Sequence, residues 1–170
     1  MLPIVLNSQA LKVAVAGKGE GLHRRLKVLS DGAVTPSGVF EDRIPRADEL
    51  TGVHLLFVAG LDEQLSSALA KLARAQGALV NVEDQPALCD FHVPAAVRRG
   101  DLLLTASTGG RSPGLSRLVR EALERRFGPE WEGHIEELAR ERLVWRTEAI
   151  GPAAVSERTR NYVAAKGWLS

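Results

Sequence analysis

The sequence predicts an α/β protein: a short parallel sheet with helices on its faces, then a small β-containing module and a C-terminal helical part. Three observations predict it. Apolar runs of strand length alternate with helical patterns through the first half of the chain. Two strand-like segments joined by a tight turn follow near residue 100. From Glu130 onward the pattern is helical.

The first strand is expected over residues 11–16. It runs into Gly17-Lys18-Gly19-Glu20-Gly21 and then into a helix with Leu22, Leu26 and Leu29 on one face, stopped by Gly32. Strand, glycine turn and amphipathic helix open a Rossmann-type unit. Residues 33–50, interrupted by Pro36, Gly38 and Pro45, read as loop with at most short strands. Residues 53–59 are almost wholly apolar, as a strand buried on both faces must be. Asp62 caps a helix that carries Leu65, Ala68, Leu69, Leu72 and Ala73, with Gly77 just past its end. Residues 78–82 are the next buried strand, read as a central one. Residues 91–97 and 102–107 flank a turn at 98–101 and read as a hairpin. Ser112-Pro113 then opens a helix whose face carries Leu115, Leu118, Val119, Ala122, Leu123 and Phe127, ended by Gly128-Pro129. Two more helices, broken at Gly151-Pro152, complete the chain, with a stripe of Trp131, Ile135, Leu138 and Trp145 on the first. The expected division is 1–88, a shortened Rossmann-like domain; 89–128, the small β-containing module; and 129–170, the helical part.

Composition narrows the class. The chain is 45% hydrophobic and 25% charged, ordinary for a globular protein. No stretch approaches the roughly 20 apolar residues that cross a bilayer, and the N-terminus has no basic run ahead of its apolar residues. A single cysteine, Cys89, supports no disulfide framework and suits a reducing compartment, so the expected location is cytoplasmic. A net charge of +1 does not point to nucleic acid. Among its basic residues only Lys12, Lys18, Lys27, Lys71 and Lys166 are lysine. Arginine pairs carboxylates and phosphates through two bonds, which is compatible with a polyanionic ligand but does not require one.

Several segments have the makings of a site. Gly17-x-Gly19 keeps the first two glycines of the dinucleotide fingerprint, while Leu22 takes the third position and Gly21 falls one residue early. The acid that binds a ribose, about 20 residues on, falls at Glu41 or Asp42, with no evident strand leading into them; a solvated loop is the competing reading. Thr108-Gly109-Gly110-Arg111-Ser112-Pro113 offers a capped helix start with glycines and a fixed cation, either an anion site or simply a well-capped helix. Asp84 sits just past a strand end, where open parallel sheets place their ligands, or in an ordinary turn before Pro86. Cys89 and His92 are two potential ligands, too few for a structural zinc. His23, His54 and His134 are scattered and read as structural or surface residues, so no metal site is expected.

Together these segments resemble the precorrin-2 dehydrogenase family, which includes the N-terminal part of siroheme synthase. The resemblance is carried by Asn81-Val82-Glu83-Asp84, by Cys89-Asp90-Phe91-His92-Val93-Pro94, by Ser107-Thr108-Gly109-Gly110-Arg111-Ser112-Pro113 and by Arg117-Leu118-Val119-Arg120. It implies a Rossmann domain that binds NAD, a small β-containing module that forms a homodimer, and a helical part that completes a substrate cleft. The implied reaction removes two hydrogens from precorrin-2 to give sirohydrochlorin. Asp84 matches the family's aspartate, implied to be the general base. The implied cofactor contacts are Gly17, Gly19, Glu20, Gly21, Ala59, Gly60 and Asn81; Thr108, Gly109, Gly110, Arg111 and Ser112 would take carboxylates of the tetrapyrrole substrate. Some members also insert iron into sirohydrochlorin.

The departures from the family pattern fall in the cofactor half. Three consecutive glycines are replaced by Gly17-Lys18-Gly19-Glu20-Gly21, and an Arg-Lys pair by Arg24-Arg25. An Ala-Thr-Asp strand end becomes Ala59-Gly60-Leu61-Asp62, and the segment from Ala33 to Val53 is short. Two other readings fit the same motifs: a tetrapyrrole-binding relative without dehydrogenase activity, and a chelatase that needs no NAD.

Overall fold

The computed structural model describes residues 2–148 and 151–169. The chain forms two compact units, Met1–Val93 and Pro94–Ser170. In the first, β1 (Val13–Gly17), β2 (Gly38–Glu41), β3 (Leu55–Ala59) and β4 (Leu79–Val82) make one parallel sheet in the order β2-β1-β3-β4. This is the shortened Rossmann-like sheet that the sequence predicts.

The strand sequences explain which strands are central. Every residue of β1 and β3 is buried, and successive side chains alternate between the two faces. Val13, Val15, Leu55 and Phe57 pack with Leu22 and Leu29 of α1 (Gly19–Asp31). Ala14, Ala16, Leu56 and Val58 pack on the opposite face with Leu69, Ala70 and Ala73 of α2 (Glu63–Ala75). Asp62 caps α2 as expected, its Oδ1 accepting from the Leu65 amide at 2.8 Å.

Two expectations need correction. Residues 38–41 form one of the short strands allowed there, β2, paired to β1 from Ala14↔Gly38 to Gly17↔Glu41, and it leads into Glu41 and Asp42, where no strand is evident in the sequence. It has only one buried residue, Phe40, so it shows no alternation worth reading. Between β2 and β3 a single 3-10 turn (Asp48–Leu50) does the covering work of a helix, driving Leu50 and Pro45 into full burial. The second correction concerns β4, which is an edge strand. It reads as a central strand because its outer edge is closed by side chains. Asp90 accepts from the Val80 amide at 2.8 Å and its own amide donates to the Val80 carbonyl at 2.8 Å. The Cys89 thiol takes the Val82 amide at 3.2 Å and donates to the Val82 carbonyl. Arg74 on α2 holds Asp90 through two contacts of 3.0 and 3.1 Å. An edge so satisfied resists pairing with foreign strands.

The second unit opens with an antiparallel hairpin, β5 (Ala95–Arg99) and β6 (Leu102–Ala106), turning at residues 100–101. Helix α3 (Pro113–Arg126) packs on both strands, yet it buries no residue fully and leaves Leu115, Leu118 and Val119 exposed. Helices α4 (Trp131–Thr147) and α5 (Pro152–Ala165) pack together. An aromatic cluster joins the end of α3 to α4, α5 and the turn beyond: Phe127 meets Trp131, Trp168 stacks on His134 at 4.2 Å, and Tyr162 meets Trp145. Tyr162 donates to Glu137, which also pairs with Lys166 at 2.7 Å. No helix among the described residues is long and apolar enough to cross a membrane.

Leu22 stands where the dinucleotide fingerprint has its third glycine, and it is fully buried. Leu22→Gly, which restores the fingerprint spacing, should therefore destabilise the protein by about 3–6 kcal/mol, a cavity term plus the cost of glycine in a helix. Equilibrium denaturation measures it; a loss below about 1 kcal/mol would show that Leu22 adds little to the core.

Candidate dinucleotide site

The order β2-β1-β3 places a topological switch point between the carboxyl ends of β1 and β3, where chain connections diverge to opposite sides. Gly17 and Ala59, the last residues of those strands, are register partners. The Lys18 amide extends the pairing to the Ala59 carbonyl at 3.2 Å. A side chain on Gly17 would collide with that same carbonyl.

Beyond the strand ends the packing tightens again. A Cβ on Gly21 would lie 2.8 Å from the Gly60 amide nitrogen and 2.6 Å from Glu83 Oε2. Gly60 has φ +69°, and a Cβ there would run into the Lys18 carbonyl. In the fingerprint the third glycine lets the helix approach the neighbouring strand. Here Gly21 performs that task one residue early, and Leu22 turns the next position into core.

The amino end of α1 is open. Its N-cap residue, Lys18, makes no side-chain cap, in contrast to α2 and α3, which Asp62 and Ser112 cap. Among the described residues nothing accepts from the amides of Gly19, Glu20 and Gly21. Unsatisfied helix amides with the positive end of the helix dipole form an anion site. They face a cavity of about 580 Å³ lined by Lys18, Gly19, Glu20, Gly21, Glu41, Asp42 and Gly60. Of the cofactor candidates, then, Gly19, Glu20, Gly21 and Gly60 line the cavity, while Gly17 and Ala59 are the close-packed strand ends beneath it. Asn81 is buried in β4 and its amide donates to the Phe91 carbonyl at 2.9 Å.

Lys18 is a lining residue that sequence reasoning missed, and β2 brings Glu41 and Asp42 to the rim. Their spacing from the glycine turn was the available signal. Arg43 follows them but is tied back: it makes two bonds of 2.8 and 2.9 Å to Glu49 and lies 4.8 Å over the Phe40 ring. Those bonds pull the Glu49 pKa down to about 2, so the pair stays ionised at neutral pH. Arg46 is held likewise by Asp48. Both arginines thus pair with acids other than Glu41 and Asp42 at the rim.

Asp84 lies just past β4 with an exposed side chain and φ +58°, a left-handed conformation that aspartate tolerates better than most residues. In the second unit, Gly109 and Gly110 both have positive φ. The turn there uses most of its donors internally. The Ser112 amide donates to Thr108 Oγ1 at 3.0 Å, the Arg111 amide to the Thr108 carbonyl at 3.2 Å, and the Gly109 amide to Ser107 Oγ at 3.2 Å. Thr108 and Ser107 thus take the amides of Gly109, Arg111 and Ser112, and the Arg111 side chain beside them is exposed. Cys89, apart from any metal role, bonds β4, and His54 accepts from the Lys12 amide at 2.9 Å.

An open helix start, a glycine junction at the switch point and acids at the second strand's end define a dinucleotide-binding domain of the Rossmann class. Residues 4–95 match the family described as putative NAD(P)-binding, more than half the chain, and the protein belongs to that family. The siroheme synthase of Ectopseudomonas mendocina (strain ymp) is 37% identical over 139 residues. That of Methylococcus capsulatus (strain ATCC 33009 / NCIMB 11132 / Bath) is 32% identical over 141 residues. Each alignment covers 72% of this chain, which spans 30% of the length of these curated relatives. The solved structure of SirC, precorrin-2 dehydrogenase, superposes with a TM-score of 0.74 at 20% identity, covering 100% of this chain and 93% of that one, and has the same fold. The family resemblance read from the sequence stands on these matches.

Gly21→Ala should destabilise the protein by about 1–3 kcal/mol. Adding Glu83→Ala should recover little, because the second obstruction is the Gly60 backbone. Thermal melts of the single and double variants decide; full recovery in the double variant would mean that the Glu83 side chain alone needs the glycine.

Proposed function

We propose that the protein is an NAD-dependent precorrin-2 dehydrogenase that yields sirohydrochlorin, with Asp84 as general base. The observation that carries the reading is the cavity where the uncapped start of α1 meets Glu41 and Asp42. The names of the siroheme synthase relatives and of the SirC structure supply the substrate class.

The residues fit a dinucleotide. The amides of Gly19, Glu20 and Gly21 would hold its pyrophosphate, Lys18 would add charge, and Gly19, where an added Cβ would meet nothing within 4 Å, leaves the backbone bare for close approach. Glu41 or Asp42 would accept from the ribose hydroxyls. A 2′-phosphate in that place meets two carboxylates and no free arginine, since Arg43 and Arg46 are already paired. That favours NAD over NADP.

Bound NAD supplies the acceptor for the hydride that leaves the tetrapyrrole. The proton lost with it passes to the Asp84 carboxylate, which then releases it to water. Exposed at a strand end, Asp84 has the room to reach a large substrate and to reprotonate from solvent. Arg111, with Thr108, Gly109, Gly110 and Ser112 shaping its turn, would take substrate carboxylates through charge-assisted bonds. In this reading residues 89–128 are also the dimerisation module of a homodimer, which the bare apolar face of α3 supports.

The deciding experiment is an anaerobic assay with precorrin-2 and NAD, following NADH and the sirohydrochlorin spectrum. Formation of both is expected; neither appearing with folded protein would refute the reading. Asp84→Asn should lower turnover by about 10²–10⁴-fold with NAD affinity and melting temperature preserved, as asparagine also accepts left-handed backbone. Normal turnover in that variant would remove Asp84 from the mechanism. Glu41→Gln with Asp42→Asn should shrink the preference for NAD over NADP by about tenfold or more, one unpaired charge contact; an unchanged preference would place the ribose elsewhere.

A further inference from the structure

Among the described residues Arg25 has no hydrogen-bonded partner. It projects from α1 on the face that packs against β3, where its guanidinium carbon lies 5.0 Å from the centre of the Phe57 ring. Phe57 is itself braced edge-on by Phe91 at 5.3 Å. The side chain is half-buried, and its Nε is fully buried with no hydrogen-bond partner among the described residues. Burial pulls the Arg25 pKa down; the carboxylates of Glu83 and Asp84, at the end of β4, oppose that effect.

The neighbouring acid does not satisfy it. Glu83 is the hydrogen-bond partner of Arg24 at 3.4 Å. Arg25 is also absent from the lining of the dinucleotide cavity, which lies at the ends of β1, β2 and β3. A guanidinium has five donors in a planar fork and cannot shed its charge near neutral pH. Held on an aromatic face, it is pre-organised for a planar anion and loses little freedom in binding one.

We propose that Arg25 is a carboxylate receptor of the substrate site, binding one peripheral carboxylate of the tetrapyrrole at the Asp84 end of β4. The assignment rests on the dehydrogenase reading above and adds to it a residue in the first unit that positions the ring for Asp84. Two anions are conceivable there, a substrate carboxylate and a dinucleotide phosphate. The position of Arg25 outside the cavity favours the first.

Sirohydrochlorin and NAD, titrated separately into the wild-type chain, Arg25→Gln and Arg25→Lys, separate these cases. Arg25→Gln should weaken sirohydrochlorin binding about 10- to 100-fold, the range of a charge-assisted hydrogen bond, and leave NAD affinity unchanged. Arg25→Lys keeps the charge and the aliphatic stem, and covers the case in which the glutamine variant unfolds. It should still lose affinity, because a point charge lacks the fork. If both variants bind sirohydrochlorin as tightly as wild type, the Arg25 assignment is wrong while NADH formation by the wild-type chain leaves the dehydrogenase reading standing. A parallel loss of NAD affinity would reassign Arg25 to the dinucleotide and overturn the proposal. A wild-type chain that binds no sirohydrochlorin and forms no NADH would overturn both.

Discussion

The close approach of the start of α1 to the end of β3 is the constraint on which this structure turns. Gly17, Gly21 and Gly60 meet there with no room for a Cβ between opposing backbones. That contact lets α1 begin directly at the sheet's carboxyl edge, so its first amides open into the cavity rather than into a cap. It also keeps β1 and β3 paired to their last residues. The cavity and the central strand pair are consequences of one steric fact.

The same contact makes sense of two departures from the family pattern. Gly21 is displaced by one residue and Gly60 replaces a larger residue after Ala59. In the structure a Cβ on Gly21 would strike the Gly60 backbone, and a Cβ on Gly60, itself left-handed, would strike the Lys18 carbonyl at the start of the same helix. Two changes that look like separate damage in the sequence are one rearranged junction. Shortening the segment before β3 is absorbed in a similar way: Leu50, carried on a 3-10 turn, enters the core where a helix would otherwise lie.

What could be read from the sequence follows from burial. β1 and β3 were legible because both faces are covered, which forces continuous apolar runs. α2 was legible from its Asp62 cap and its apolar spacing. β2 was not, since one buried phenylalanine in four residues carries no period. The edge position of β4 was hidden by Asp90 and Cys89, whose side chains satisfy backbone amides on its outer edge without a further strand beside it. Within the site, the glycines were visible as a motif, but the role of Gly21 is a distance to Gly60 that no spacing rule contains. Arg25 was visible only as half of a basic pair; its isolation on Phe57 depends on Arg24 having taken Glu83.

The central claim is that this rearranged junction is a working dinucleotide pocket. An amide-resolved NMR titration with NAD tests it at the residues concerned. The account predicts saturable shifts at Gly19, Glu20, Gly21 and Gly60, with Glu41 and Asp42 following. Saturable binding that leaves those amides unmoved, or no binding at millimolar NAD, would contradict it.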